Sequence, residues 1–142
     1  MASTTKLMTA LVTVSSIDIT ATTTISSKAA SIGGSTVGLK KGTSVSIKDL
    51  LYCLMLRSGN DAAIALAEAV AGNVEDFCLL MNEKAKQLGA FNTNFTSPHG
   101  LDNDEHYTTA RDLAVICKAA SENIIVKEIM GQGAMHDNII LP

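Results

Sequence analysis

The stretch Ser46-Ile-Lys-Asp-Leu-Leu-Tyr-Cys-Leu-Met-Leu-Arg-Ser-Gly-Asn-Asp-Ala-Ala63 contains two helix starts and one break, and its reading decides the fold. Ser46 followed by Asp49 is a variant of the capping box, in which a hydroxyl satisfies the first free N–H groups and an acidic side chain reaches back. Behind it Ile47, Leu50, Leu51, Leu54 and Met55 recur at helical period and predict a buried stripe. Arg57-Ser58-Gly59-Asn60 interrupts the pattern. An alanine-rich helix over 61–71 follows and stops at Gly72, its small side chains allowing close helix packing.

The same punctuation continues on either side. Asn73 with Asp76 starts a third helix, whose apolar positions Val74, Phe77, Cys78, Met81, Ala85 and Leu88 keep the period until Gly89. Residues 91–107 read as irregular. Thr109 and Asp112 cap another helix through Leu113, Ile116 and Cys117, and a shorter one is expected over 124–130. Upstream, residues 15–42 are rich in Ser, Thr and Gly with isolated Ile, Val and Leu, which predicts extended strand and turn. Residues 3–14 place Leu7, Met8, Leu11 and Val12 on one face, predicting a helix that begins near Ala2 or Ser3. The fold class expected is mainly α with short β-strand or hairpin segments. Met8, Met55 and Met81 are core residues by spacing.

Composition agrees with a helical body. The 142 residues are 46% hydrophobic but only 4% aromatic, without tryptophan, so Leu, Ile, Val, Ala and Met must build the core. The net charge is -3 and the eleven Lys and Arg are dispersed, which leaves no electrostatic footprint for nucleic acid. No apolar run approaches the roughly 18 residues that span a bilayer, and the first residues lack the pattern of a secretory signal, so any export signal or anchor is expected outside this stretch. Cys53, Cys78 and Cys117 form no metal-binding or redox pair and sit among apolar residues at helical spacing. All three are expected to be buried free thiols.

Two short patterns could carry chemistry. In Ser3-Thr4-Thr5-Lys6 a helix start sets the hydroxyl and the amine one turn apart on one face, where a desolvated amine can take the serine proton. Helical N–H groups nearby can help stabilise an oxyanion. Alone, the pair also fits an N-cap beside a solvated lysine. Ser58-Gly59-Asn60 lies between two helices, where a loop can aim a hydroxyl and an amide into a cleft, although it also fits a plain turn. A second Ser-x-Asn, Ser121-Glu122-Asn123, falls in the tail of a helix. His99, Asp102 and His106 have no common zinc spacing and are expected to be structural.

The two patterns in this order resemble the serine penicillin-recognising enzymes, whose motifs include Ser-x-x-Lys, Ser-x-Asn and Lys-Thr-Gly. Longer strings sharpen the likeness: Ala2-Ser-Thr-Thr-Lys-Leu-Met-Thr-Ala10, Gly33-Gly-Ser-Thr-Val-Gly-Leu39, Leu54-Met-Leu-Arg-Ser-Gly-Asn-Asp-Ala-Ala63 and Pro98-His-Gly-Leu-Asp102. They are similar to the low-molecular-mass D-alanyl-D-alanine carboxypeptidases over about residues 2–130. The resemblance implies the helical portion of the α/β, transpeptidase-like fold shared by D,D-peptidases and serine β-lactamases. It implies Ser3 as the acylated nucleophile, Lys6 as its general base, Ser58 as the proton relay to the leaving D-alanine, and Asn60 as a ligand of the substrate amide that also helps hold Lys6. It further implies peptidoglycan pentapeptides and β-lactams as ligands, no cofactor or metal, and a site of action outside the cytoplasmic membrane.

The third motif of that family is not found. Lys41-Gly42-Thr43 has the letters in the wrong order and lies between the first two motifs. The expectation is therefore a single partial domain over 1–142: a Ser-x-x-Lys helix at 3–14, a strand and turn region at 15–45, a helical region at 46–130 and an atypical tail at 131–142. Flanking sheet strands of the family are expected to be missing, leaving apolar faces that favour self-association. Two rival functions stay open: a serine β-lactamase-like hydrolase, and a catalytically silent helical fragment or binding module.

Overall fold

Helix boundaries in the computed structural model, which describes residues 2–101 and 105–131, follow the caps read from the sequence. The elements are α1 (Ala2–Ser16), β1 (Thr22–Thr24), α2 (Ser27–Ser31), β2 (Ser44–Ser46), α3 (Ile47–Arg57), α4 (Asn60–Ala71), α5 (Val74–Leu88), α6 (Ala110–Glu122) and α7 (Ile124–Gly131). Ser46 Oγ accepts the Asp49 N–H at 3.1 Å, Asn73 Oδ1 accepts that of Asp76 at 2.7 Å, and Thr109 Oγ1 accepts that of Asp112 at 3.1 Å. Gly72 and Gly89 end α4 and α5 at φ 85° and 88°, a left-handed conformation that glycine adopts without a Cβ clash.

Among the described residues the fold is mainly helical with one two-stranded antiparallel sheet, in which Thr23 pairs with Val45. The region expected as strand and turn also contains a short helix, α2. Its start is fixed by Ser26, whose Oγ accepts the Ala29 N–H and donates to Glu68 Oε1 of α4 at 2.6 Å. Five residues are too few to show a helical period, so a contact from a distant helix is what distinguishes this turn from a loop.

At the centre lies α1, which packs against α3, α4, α5, α6 and α7. It is not the one-sided helix suggested by its apolar positions. Thr4, Thr5, Lys6, Thr9 and Thr13 are buried along with Met8, Leu11 and Val12. Thr5, Thr9 and Thr13 recur every four residues and form a polar stripe whose hydrogen bonds are made internally. Thr5 Oγ1 lies 2.7 Å from His106 Nε2, Thr9 Oγ1 donates to the Pro98 carbonyl at 2.7 Å, and Thr13 Oγ1 donates back to the Thr9 carbonyl. The 91–107 segment is thereby fastened along the central helix. Around it Leu50, Leu51, Leu54, Ile64, Leu66, Phe77, Met81, Phe95 and Ile116 join Met8 in filling the core.

Burial corrects two further expectations. Cys53 and Cys78 are buried free thiols, but Cys117 is exposed. On α6 the buried positions are Asp112, Ile116 and Ala120, four residues apart, and Cys117 is turned about 100° off that stripe. Met55 is only partly buried, at the edge of the core rather than inside it. Asp102 and residues 132–142 of the expected atypical tail lie outside the described residues.

Asp112 and His106 show how the irregular segment is held. Asp112 Oδ2 accepts the Asn92 N–H at 2.7 Å and the Thr93 hydroxyl at 2.8 Å. Burial pushes this carboxyl up, but the hydrogen bonds and Arg111 outweigh it and leave its pKa below the ordinary value. His106 Nδ1 accepts the Thr96 N–H at 3.0 Å, so Nε2 carries the ring proton and donates to Thr5. Burial lowers the pKa of His106, and burial together with the charge of Lys6 lowers that of His99 to about 4.

Two predictions follow from this packing. Phe77 is fully buried, so Phe77→Ala should destabilise by about 3–5 kcal/mol, whereas Cys117→Ser should stay within about 0.5 kcal/mol, both read by urea unfolding followed by circular dichroism. In acid, unfolded histidines take up protons near the ordinary value of 6.5, while folded His99 resists until about 4. Their contribution is complete above the ordinary value and is lost as pH falls through that window. The thermal midpoint should therefore drop between pH 6.5 and 4, with a shallower slope in a His99→Gln, His106→Gln variant.

Candidate active site

Lys6 is 6% exposed, unusual for an ammonium, and its burial is explained by one bond. Nζ donates to the Ser58 carbonyl oxygen at 2.7 Å, across 52 residues of sequence. That carbonyl is presented by a turn at the end of α3, where Ser58 sits at φ 51°, ψ 38°. Among the described residues it is the one non-glycine with positive φ. A serine there costs on the order of 1 kcal/mol, and such strain persists when neighbouring bonds over-determine it. Here the Ser58 N–H and the Gly59 N–H both donate to the Cys53 carbonyl.

Immediately after the turn, Asn60 opens α4 and is buried. Its backbone N–H donates to the Ser35 carbonyl at 2.8 Å and its Nδ2 to the Gly33 carbonyl at 3.0 Å. The 33–39 loop thus lies directly against the start of α4. Gly34, at φ +79°, is required by this approach: a Cβ built there would stand 2.6 Å from Asn60 Nδ2. Asp61, also buried, accepts backbone N–H groups of the same loop.

The electrostatics of Lys6 follow from its walls. Leu7, Leu54, Met55 and Met130 join Lys6 and Ser58 in lining a cavity of about 170 Å³, so one side of the amine faces mainly hydrocarbon. Burial lowers its pKa from the ordinary lysine value, and the charge of Asp61 opposes that shift. The outcome is an amine that gives up its proton more readily than a solvated lysine.

Of the residues selected from sequence, Ser3 lies in the first turn of α1, one turn ahead of Lys6, and Ser58 and Asn60 lie at the junction of α3 and α4 that Lys6 touches. The bond that seats the ammonium comes from the Ser58 backbone, while the Asn60 amide is turned onto Gly33. Ser121-Glu122-Asn123 is a helix junction in which Asn123 Oδ1 accepts the Ile125 and Val126 N–H groups at the start of α7. Lys41-Gly42-Thr43 is a turn leading into β2, with Gly42 at φ 86°. Among the described residues no three His, Cys, Asp or Glu side chains group as a metal site.

Asp61 and the 33–39 loop were missed as site residues. Their signal was present in Gly33-Gly34 and in Asn60-Asp61, but nothing local pairs two segments some 25 residues apart.

Comparison with known proteins supplies the context for this geometry. The family model described as D-alanyl-D-alanine carboxypeptidase matches residues 1–136. D-alanyl-D-alanine carboxypeptidase DacF of Bacillus subtilis is 40% identical over 122 residues, covering 82% of this chain and 31% of that protein. The crystal structure of a D-alanyl-D-alanine carboxypeptidase from Mycobacterium tuberculosis superimposes with a TM-score of 0.86 at 38% identity, over 90% of this chain and 49% of that one. Penicillin binding protein 5 from Haemophilus influenzae gives a TM-score of 0.80 at 40% identity, over 87% of this chain and 38% of that one. The chain thus spans less than half the length of each of these relatives. The match to the family model over nearly all its residues, and the shared fold, show that this chain belongs to the D-alanyl-D-alanine carboxypeptidase family.

Proposed function

We propose that this chain supplies the nucleophile and proton-handling residues of a serine-type D-alanyl-D-alanine carboxypeptidase that acts on peptidoglycan stem peptides outside the cytoplasmic membrane. Ser3 Oγ attacks the carbonyl between the two terminal D-alanines as its proton passes to the Lys6 amine, whose pKa burial lowers. The tetrahedral intermediate collapses with cleavage of the C–N bond, and the proton taken up by Lys6 returns through the Ser58 hydroxyl to the departing D-alanine nitrogen, leaving both side chains as they began. Asn60 binds the substrate amide. Water then resolves the ester on Ser3, and a β-lactam follows the same first step to leave a slow ester. Residues 1–142 act as one partial domain in this reading.

The observation that carries the proposal is the state of Lys6: buried, lowered in pKa, and hydrogen-bonded to the Ser58 turn one helical turn beyond Ser3. A solvated lysine would be protonated at neutral pH and could accept nothing. The family membership supports the choice of acyl transfer over other serine chemistry. A silent helical module would show the same burial without reactivity, and the following experiment separates the two.

Incubation with a penicillin should add one covalent ligand mass to the intact chain, and Ser3→Ala should abolish it. Lys6→Ala should slow acylation by about 10²–10⁴-fold, the usual contribution of a positioned base. Lys6→Arg should not rescue it, because a guanidinium keeps its proton. No adduct on the parent chain would mean that this stretch does not form a working site. Gly34→Ala should displace the Asn60 amide from the Gly33 carbonyl and lower both the thermal midpoint and the acylation rate.

A further inference from the structure

Asp61 is 2% exposed and takes no part in the acyl-transfer steps above. Its carboxylate gathers backbone N–H groups: Val37 at 3.1 Å to Oδ1 and 3.2 Å to Oδ2, Leu39 at 2.9 Å to Oδ2, and Ala62 at 3.0 Å to Oδ1. Two of these donors belong to the 33–39 loop, and the other end of that loop presents the Gly33 and Ser35 carbonyls to Asn60. Carboxylate and amide on neighbouring residues therefore hold the two ends of one loop. The fit is close on both sides. A Cβ at Gly59 would lie 3.0 Å from Asp61 Oδ1, and one at Gly34 would lie 2.6 Å from Asn60 Nδ2.

We infer that Asp61 is a positioning residue of the acylation site: it ties the 33–39 loop to the start of α4, so that Asn60 and the Ser58 turn seating Lys6 keep one geometry, and it places a negative charge near the Lys6 amine. The inference rests on the acyl-transfer reading. Without the carboxylate, the Val37 and Leu39 N–H groups lose their acceptor, and the loop that receives the Asn60 amide loses its second anchor. The charge acts independently of that anchor. Asp61 raises the affinity of Lys6 for its proton against the effect of burial, while His99 of the 91–107 segment feels the Lys6 charge in turn. A carboxylate that served only packing would change stability and leave the proton equilibrium of the base where it was.

The test measures acylation by a fluorescent penicillin against pH for the parent chain, Asp61→Asn and Asp61→Glu, with circular dichroism to establish folding. Asp61→Asn should acylate about 10- to 100-fold more slowly, the scale of a small misplacement of reacting groups. The rising limb of its pH profile should move to lower pH, because Lys6 has lost a neighbouring negative charge. Asp61→Glu keeps the charge and moves the carboxylate, so its rate should fall while its profile stays in place. A folded Asp61→Asn with the parent's rate and profile would overturn the inference. If Asp61→Asn does not fold, Asp61→Glu decides, and an unchanged rate would overturn it.

A parent chain without a Ser3-dependent adduct would refute the acyl-transfer reading, and with it the link to acylation, but not the anchoring of the loop by Asp61. The anchoring role is then read by NMR on Asp61→Asn and Asp61→Glu. Loss of exchange protection at Val37 and Leu39, with a shift of the Asn60 side-chain amide, supports it, and an Asn60 signal unmoved in both variants refutes it.

Discussion

The hydrogen bond from Lys6 to the Ser58 carbonyl joins the two halves of the candidate site, and the surrounding structure is arranged to sustain it. An ammonium taken out of water must find oxygen acceptors or lose its proton, and here it has one carbonyl and a nearby carboxylate charge. The carbonyl reaches it because Ser58 adopts a left-handed conformation that the Cys53 carbonyl stabilises from below. The Asn60 and Asp61 bonds to the 33–39 loop hold the next two residues in place. A strained turn is thus fixed from both sides, and the lysine on the central helix is set against it.

The central helix itself is placed by polar groups as much as by apolar ones. Leu11, Val12 and Met8 would pack equally well after a rotation or a slide of α1, since dispersion and apolar burial have little direction. The Thr5, Thr9 and Thr13 hydroxyls do not tolerate this, because each buried hydroxyl must keep its partner. His106 and Pro98 provide two of those partners, and Asp112 holds the segment that carries them. The segment after α5 therefore helps set the rotation of the helix that bears Ser3 and Lys6, through His106 and the Pro98 carbonyl.

Much of the helical architecture was legible locally. Ser46, Asn73 and Thr109 cap the N–H of the residue three positions on, and Gly72 and Gly89 stop helices by a conformation glycine alone adopts cheaply. These devices act within a few residues, so sequence order alone reveals them. The short helix α2 was not legible, because its cap is shared with Glu68 of α4. The exposure of Cys117 was missed for a related reason: an apolar stripe shows its period but not its width, and the partner helices decide how much of the stripe is covered.

The sequence by itself determined which residues could carry chemistry and that each stands at a helix end, Ser3 and Lys6 in one turn and Ser58 and Asn60 around one break. Those facts depend on spacing. The tertiary structure decided the rest: that Lys6 is buried, that Ser58 offers its carbonyl to it, and that Asp61 and the threonines of α1 lie inside the protein. The burial of a polar group depends on acceptors and donors brought from distant segments, and only folding makes those segments neighbours.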